Sequence, residues 1–315
     1  MRTLINQSRY LIAVFLSISI FVLFYSYSAD DMAFCSSGAC GSHLIQPATI
    51  WSNIRSRLAL DHSIESARVQ AEIRKLMADK QKLYDILRAS APYIYFINRE
   101  TQTHRLPAEL ALIPVIESEF NPRDHSNKGA DGLWQLMPQT ASELGIRVSE
   151  RRNVVSSTHA ALAYLTDLKN DFRGDWYLAI SAYNAGQGTV KHAIRRAGSR
   201  NFWNLNRLPI ETKLYLPKLL ALAAIIKNPE KYGMRLPPII NKPYFITLTM
   251  RSPVNLAKIA RTTGMDIKTL HALNPDYRHE SAQPNKHGAY TLLIPVKAAE
   301  TLKNTLGNKV ISTKV

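Results

Sequence analysis

Cysteine is almost missing from this chain of 315 residues: Cys35 and Cys40 are the only two. Neither they nor the nine histidines fall into a metal-ligand spacing, and no HExxH occurs, so no metal or cofactor is expected. The two thiols could close a small disulfide loop in an oxidising compartment, and free thiols in a loose stem are the plainer reading. Lipidation of Cys35 meets the bulky Phe34 just before it. Acidic residues are also scarce, 24 against 40 Lys and Arg, for a formal net charge of +16. Such a balance favours an anionic partner: nucleic acid, a membrane surface or an acidic polymer. The basic residues are scattered, and no Walker loop, zinc finger or aromatic RNA-binding signature accompanies them, which sets nucleic acid aside. Alternating strand patterns are absent between residues 60 and 230, so that region is expected to be all-α.

One long apolar run is present. Arg2 and Arg9 precede an almost unbroken apolar stretch from Tyr10 to Tyr27, the layout of an export signal, long enough to border on a membrane span. Cleavage near Ser26 to Ala29 and retention as an anchor both fit. In either case the basic end stays in the cytoplasm and the rest is exported.

Length suggests about two domains. The reading is a signal peptide or membrane anchor over 1–30, a stem over 31–62, a helical domain over 63–232, a linker over 233–243, a small βααβ domain over 244–300 and a tail over 301–315. The fold class is mainly α. Helices are predicted over Ser63 to Ser90, Leu106 to Phe120, Ser157 to Phe172, Trp176 to Ala185, Thr189 to Ala197 and Thr212 to Lys227. Pro237, Pro238 and Pro243 mark the linker. Beyond it, strands over Tyr244 to Met250 and Tyr290 to Val296 flank two short helices around 254–262 and 267–273.

The chemistry concentrates in Ile113 to Pro138, IPVIESEFNPRDHSNKGADGLWQLMP. At 100° per residue, Leu106, Leu110, Ile113, Glu117 and Phe120 share one helical stripe, while Glu119 points about 200° away from Glu117. Pro114 should bend the helix just before Glu117. A carboxyl in apolar surroundings holds its proton toward neutral pH, as a general acid must. A structural salt bridge would explain the same glutamate equally well from spacing alone.

Three ordered segments weigh that choice. IESEFNP, GADGLWQLMPQTASELG and SAYNAGQGTVKHAI resemble the soluble-lytic-transglycosylase domain, the goose-lysozyme-like group of family 23 glycoside hydrolases. The likeness runs from about Leu106 to Tyr232, includes ETKLYLPK, and is nearest to the membrane-bound D-type members. It implies a lysozyme-like helical fold that cleaves the MurNAc–GlcNAc bond of peptidoglycan. By that resemblance Glu117 is the catalytic acid and base, and Ser118 supports it or the sugar. Gln135 and Met137 line the glycan groove, and Tyr183 and Asn184 face the site with the tyrosine hydroxyl near the carboxylate. Glu211 lies in or behind the groove, a salt bridge or a helix N-terminal position explaining it as well. Trp134, Tyr164, Trp176 and Trp203 are read as core.

Ordinary glycosidases use two carboxylates. No second acid accompanies Glu117 in a matching motif, and Asp124, Asp131 and Asp175 are read as plain loop positions. Internal transfer is therefore expected in place of hydrolysis, giving a 1,6-anhydro-MurNAc end. A hydrolytic muramidase and a catalytically silent peptidoglycan-binding scaffold are the alternatives. The C-terminal segment SPVNLAKIARTTGMDIKTLHALNP with YTLLIPV resembles a divergent LysM module, with Arg251-Ser252-Pro253 where a Gly-Asp-Thr turn is usual. The expected partners are glycan strands of peptidoglycan and, through the N-terminal segment, a membrane. A monomer in the periplasmic cell envelope is the expected state.

Overall fold

The computed structural model describes residues 48–253, 255–277, 288–306 and 310–314. The N-terminal apolar run, Cys35 and Cys40 lie outside the described residues. The body is helical. It contains α1 (Ile50–Ser56), α2 (Ala67–Ala78), α3 (Lys80–Ala89), α4 (Ile94–Thr103), α5 (Ile113–Ser118), α6 (Pro138–Glu143), α7 (Val154–Asp171), α8 (Trp176–Ala185), α9 (Gln187–Ala197) and α10 (Ile210–Lys227). A 3-10 turn over Ala108–Leu112 leads into α5.

Helix α10 is the axis of the body. Apolar residues cover it all round, and Leu219 to Ile226 are buried without interruption, the pattern of a helix enclosed by others. Helices α2, α5, α8 and the 3-10 turn pack on it. Side-chain caps start several of its neighbours. Asn153 accepts from Ser156 N–H at 2.9 Å to open α7, and Asp175 accepts from Leu178 N–H at 3.1 Å to open α8. Asp175 is therefore a helix cap and not a plain loop residue.

Three expectations change here. The helix predicted over Ser63 to Ser90 breaks at Asp79 (φ −131°, ψ 80°), whose carboxylate caps α3 through Lys82 N–H at 2.8 Å. The stem does not extend to residue 62: Ile50, Trp51 and Ile54 in α1 are core residues. The segment over 233–243 is not a free linker either. Its Ile239 carbonyl accepts from Ile50 N–H at 2.8 Å, and its Pro237 carbonyl accepts from the Trp51 indole at 2.7 Å. Two short stretches far apart in sequence hold each other, which local patterning does not reveal.

The C-terminal unit has β1 (Phe245–Met250), α11 (Leu256–Thr263), α12 (Ile267–Leu273), β2 (Tyr290–Pro295), α13 (Ala299–Leu306) and β3 (Val310–Lys314). The sheet order is β2-β1-β3, both pairs antiparallel, with Thr249 opposite Thr291. Ile246, Leu248 and Met250 join Leu256, Ile259 and Leu270 in a core of their own. Phe245 and Leu293, on the other face, join the core of the helical body. The expected βααβ unit is present, and the predicted tail adds a helix and an edge strand to it.

Candidate active site

The 3-10 turn and α5 place Glu117. Pro114 sits in the first turn of α5, where its missing N–H has no intrahelical partner to lose. It starts the helix and does not bend it. The helix stops at Ser118 because Glu119 (φ 51°) and Phe120 (φ 59°) both turn left-handed, a conformation that costs non-glycine residues roughly 1–2 kcal/mol each. Burial of Phe120, 2% exposed, and its N–H bond to the Pro114 carbonyl at 3.1 Å hold the turn. The turn sends Glu119 out to Lys82 at 2.8 Å. Glu117 stays on the floor of a cleft of about 820 Å³.

The wall opposite is the loop from Asn121 to Met137. Gly132 (φ 80°) suits this place, because a Cβ there would lie 2.2 Å from the Arg151 carbonyl oxygen and force the backbone to shift. Arg151, buried beneath the loop, donates to the Gly129 and Leu136 carbonyls at 2.6 and 2.9 Å. Asp131 is paired with Arg152 at 2.8 Å and with Arg151 at 3.6 Å. It is thus a buried anchor and no plain loop acid. Trp134 is fully buried, its indole donating to Thr158 at 3.0 Å.

Burial pushes the Glu117 carboxyl from its ordinary value near 4.5 to about 7. The Tyr215 hydroxyl, donating to Oε1 at 2.5 Å, and the positive charge of Lys218 pull it back, while Glu211 adds to the rise. Near neutral pH the group can therefore both give and take a proton. Tyr215, in α10, is itself held well above the ordinary phenol range by burial. It stays a neutral donor.

The predicted residues take different places. Met137, 40% exposed, lines the cleft, as do Gln135, Tyr183, Asn184 and Glu211. The Gln135 amide donates to the Asp124 and Gly132 carbonyls at 3.1 and 2.9 Å. Tyr183 does not direct its hydroxyl to the carboxylate; it donates to the Trp134 carbonyl at 2.7 Å. Asn184 accepts from Thr212 at 2.8 Å and reaches Glu211 at 3.4 Å, and Lys128 pairs with Glu211 at 3.6 Å. Ser118 is buried, with its hydroxyl on the Leu133 carbonyl at 3.0 Å, so it ties α5 to the loop and does not face the cleft. Tyr164 is a cleft residue and not core, its ring 5.8 Å from that of Tyr183. Trp176 and Trp203 are half-buried under Lys169 and Arg68 at 5.5 and 5.9 Å. Asp124 also lines the cleft. No cluster that could hold a metal occurs among the described residues.

Residues 94–206, which carry this floor and wall, match the transglycosylase SLT domain, and residues 244–309 match the LysM-like domain of lytic transglycosylase MltD. Residues 94–206 are thus a transglycosylase SLT domain. Membrane-bound lytic murein transglycosylase D of Escherichia coli K12 is 34% identical over 85% of this chain and 60% of its own length. The chain thus spans about three fifths of that relative. An Alteromonas protein named for tributyltin chloride resistance is 38% identical over 53% of this chain and 81% of its own length. Among solved structures, lytic transglycosylase Slt of Pseudomonas aeruginosa is 28% identical, with a TM-score of 0.36 over 46% of this chain and 25% of that chain. Tyr215 is the residue at the carboxyl that the sequence motifs do not single out. It stands in the quoted ETKLY segment, four residues after Glu211, and its place on the buried face of α10 was the available signal.

Proposed function

We propose that the protein is a peptidoglycan lytic transglycosylase, a lyase that cleaves the MurNAc-(β1,4)-GlcNAc bond without water. The observation that carries this reading is Glu117, titrating at about 7 on the floor of the cleft beside one neutral hydroxyl donor. Protonated Glu117 gives its proton to the glycosidic oxygen, and the GlcNAc side leaves as an alcohol. The N-acetyl group of the MurNAc stabilises the cation that develops at its C1. Glu117, now a carboxylate, takes the proton of the C6 hydroxyl as that oxygen bonds to C1. The product is a 1,6-anhydro-MurNAc end, and Glu117 is protonated again. Tyr215 orients the carboxyl through Oε1 and stabilises its ionised form. Gln135, Met137, Tyr183, Asn184 and Glu211 are proposed to line the glycan path, and Ser118 to position α5.

A hydrolytic muramidase is the second reading, favoured by the two further carboxylates of the cleft, Asp124 and Glu211. Glu211 is engaged by Lys128 and Asn184 at the surface, which supports a binding role over a second catalytic one. Mass spectrometry of muropeptides released from sacculi decides. Anhydro ends, lighter by one water than hydrolytic ends, and their loss in Glu117→Gln are expected. Hydrolytic ends, or full turnover by that variant, would sink the assignment. The proposal extends to a monomeric envelope enzyme facing the periplasm and held at a membrane by its N-terminal segment, on the strength of the Arg2 and Arg9 pattern. No described helix is long and apolar enough to cross a membrane.

A further inference from the structure

The end of α12 and the turn after it reach the wall of the Glu117 cleft. The last carbonyls of a helix have no partner within it, and here the helical body supplies two of the partners. Tyr93, just ahead of α4, donates its hydroxyl to the Ala272 carbonyl at 2.8 Å. Arg123, in the wall loop, donates to the His271 carbonyl at 3.0 Å. The next residue, Asp124, ties the two arms of that loop together. Its carbonyl accepts from Gly132 N–H at 2.9 Å and from the Gln135 amide at 3.1 Å.

A second contact lies at the base of the wall. The Asp276 carboxylate accepts from the Asn153 amide at 2.9 Å. Asn153 is buried, and its side-chain oxygen caps α7. It follows directly on Arg151 and Arg152, which hold the Gly129 and Leu136 carbonyls and Asp131. Burial raises the Asp276 carboxyl above the ordinary carboxylate range, and the Asn153 amide pulls it back. A hydrogen bond shut off from water in this way is not readily exchanged for one to solvent.

The segment that makes both contacts is itself firmly seated. Leu273 and Leu293 of the C-terminal unit belong to the core of the helical body. Asn274 bonds the Leu293 N–H at 2.7 Å and the Leu293 carbonyl at 2.8 Å, so the turn and β2 move as one. The reacting carboxyl and its donor stand on α5 and α10, not on the wall.

We propose that the segment from His271 to Asp276 positions the wall of the Glu117 cleft, acting through Arg123 at the start of the loop and Asn153 at its base. The C-terminal unit is then part of the frame of the substrate site. The substrate that the wall faces, a glycan strand, rests on the proposed function. Without the brace the wall drifts from the substrate while proton transfer is untouched, so KM rises and kcat per folded molecule holds.

Two measurements on the full chain test this. Hydrogen-exchange mass spectrometry follows the amides of residues 121–137. Arg123→Ala and Asp276→Ala should each speed their exchange by about fivefold to tenfold and leave that of α9 unchanged. Turnover of soluble, uncross-linked glycan strands should show KM raised by a similar factor. A mere loss of folded protein would lower kcat and leave KM alone. Arg123→Lys keeps a donor and Asp276→Asn keeps an acceptor, and both should restore the parent values. Should Asp276→Ala fail to fold, the exposed Arg123 decides. Unchanged wall exchange or an unchanged KM in Arg123→Ala would overturn the proposal, as would a rise in KM that Arg123→Lys does not reverse. The product ends report on the reaction separately. Hydrolytic ends, with the wall loosened in the variants, would fault the proposed reaction alone; anhydro ends with an unaltered wall would fault the brace alone. If the parent shows no turnover, the reaction fails and exchange alone decides the brace.

Discussion

Glu109 and Glu117 lie on the same buried segment, two turns apart, and serve opposite ends. Glu109 is fully enclosed, and its oxygens take Ala59 N–H at 3.2 Å, Leu60 N–H at 2.9 Å and His62 Nε2 at 3.1 Å. Both oxygens are engaged by the chain itself, so Glu109 fastens residues 59–62 to the body. Glu117 has one hydroxyl from Tyr215 and opens on the cleft. A buried carboxyl that the fold satisfies becomes structure, and one that the fold leaves under-satisfied keeps its proton near neutral pH.

That contrast can be broken at either end. Glu117→Gln should lower turnover of sacculi by at least about a hundredfold with the fold intact, measured as anhydro-muropeptide release. Glu109→Ala should act the other way, costing about 3 kcal/mol by leaving two N–H groups and His62 buried without their acceptor. Urea unfolding checks it, and turnover per folded molecule should hold.

The pH dependence of stability sharpens the comparison. The folded-state value of Glu117 is raised, from near 4.5 to about 7. The folded chain therefore binds the extra proton between those values, and stability falls as pH rises through that window. The cost levels off above pH 7 at no more than about 3 kcal/mol. Glu117→Gln removes it, so the variant should melt higher than the parent at pH 8 and gain little at pH 4. Equal gains at both would refute the raised value.

Smaller effects follow in the loop and at the hydroxyl. Gly132→Ala should cost about 2 kcal/mol, since both its φ of 80° and the Arg151 carbonyl at 2.2 Å oppose a side chain; thermal unfolding reads it. Tyr215→Phe removes a donor to the ionised carboxyl, so the alkaline limb of the pH–rate profile should move upward from about 7. The rate at neutral pH should change less than about tenfold. A limb that stays in place would remove Tyr215 from the proton-handling role.

Much of the helical scaffold was legible, because amphipathic stripes and terminal glycines are local signals. Helices α8 and α12 have the ends expected of them, and strands β1 and β2 lie within a residue of the strands expected. Helix α4 was missed: its Ile94, Ile97 and Thr101 stripe is short and mixed with Tyr95 and Phe96, which serve the other side. The edge strand β3 was missed because its pairing with β1 is a tertiary event. Of the site, the catalytic candidate and the cleft-lining residues were accessible through motifs. The direction of each polar group was not, as the Tyr183 and Ser118 hydroxyls show, since two backbone carbonyls of the neighbouring loop claim them.

By itself the sequence determined that Glu117 stands among apolar neighbours and that a glycine- and amide-rich loop follows. The single helix expected over Leu106 to Phe120 is instead a 3-10 turn followed by a helix that ends at Ser118. It is the left-handed turn at Glu119 and Phe120 that sends Glu119 away. Tertiary structure alone decided which hydroxyl meets the carboxyl. Tyr215 comes from 98 residues downstream, and its arrival depends on α10 running through the body, with its second half buried and its first half along the cleft. Enclosure sets both the desolvation that raises the carboxyl and the geometry of the one donor that restrains it, and neither is a property of any local stretch of chain.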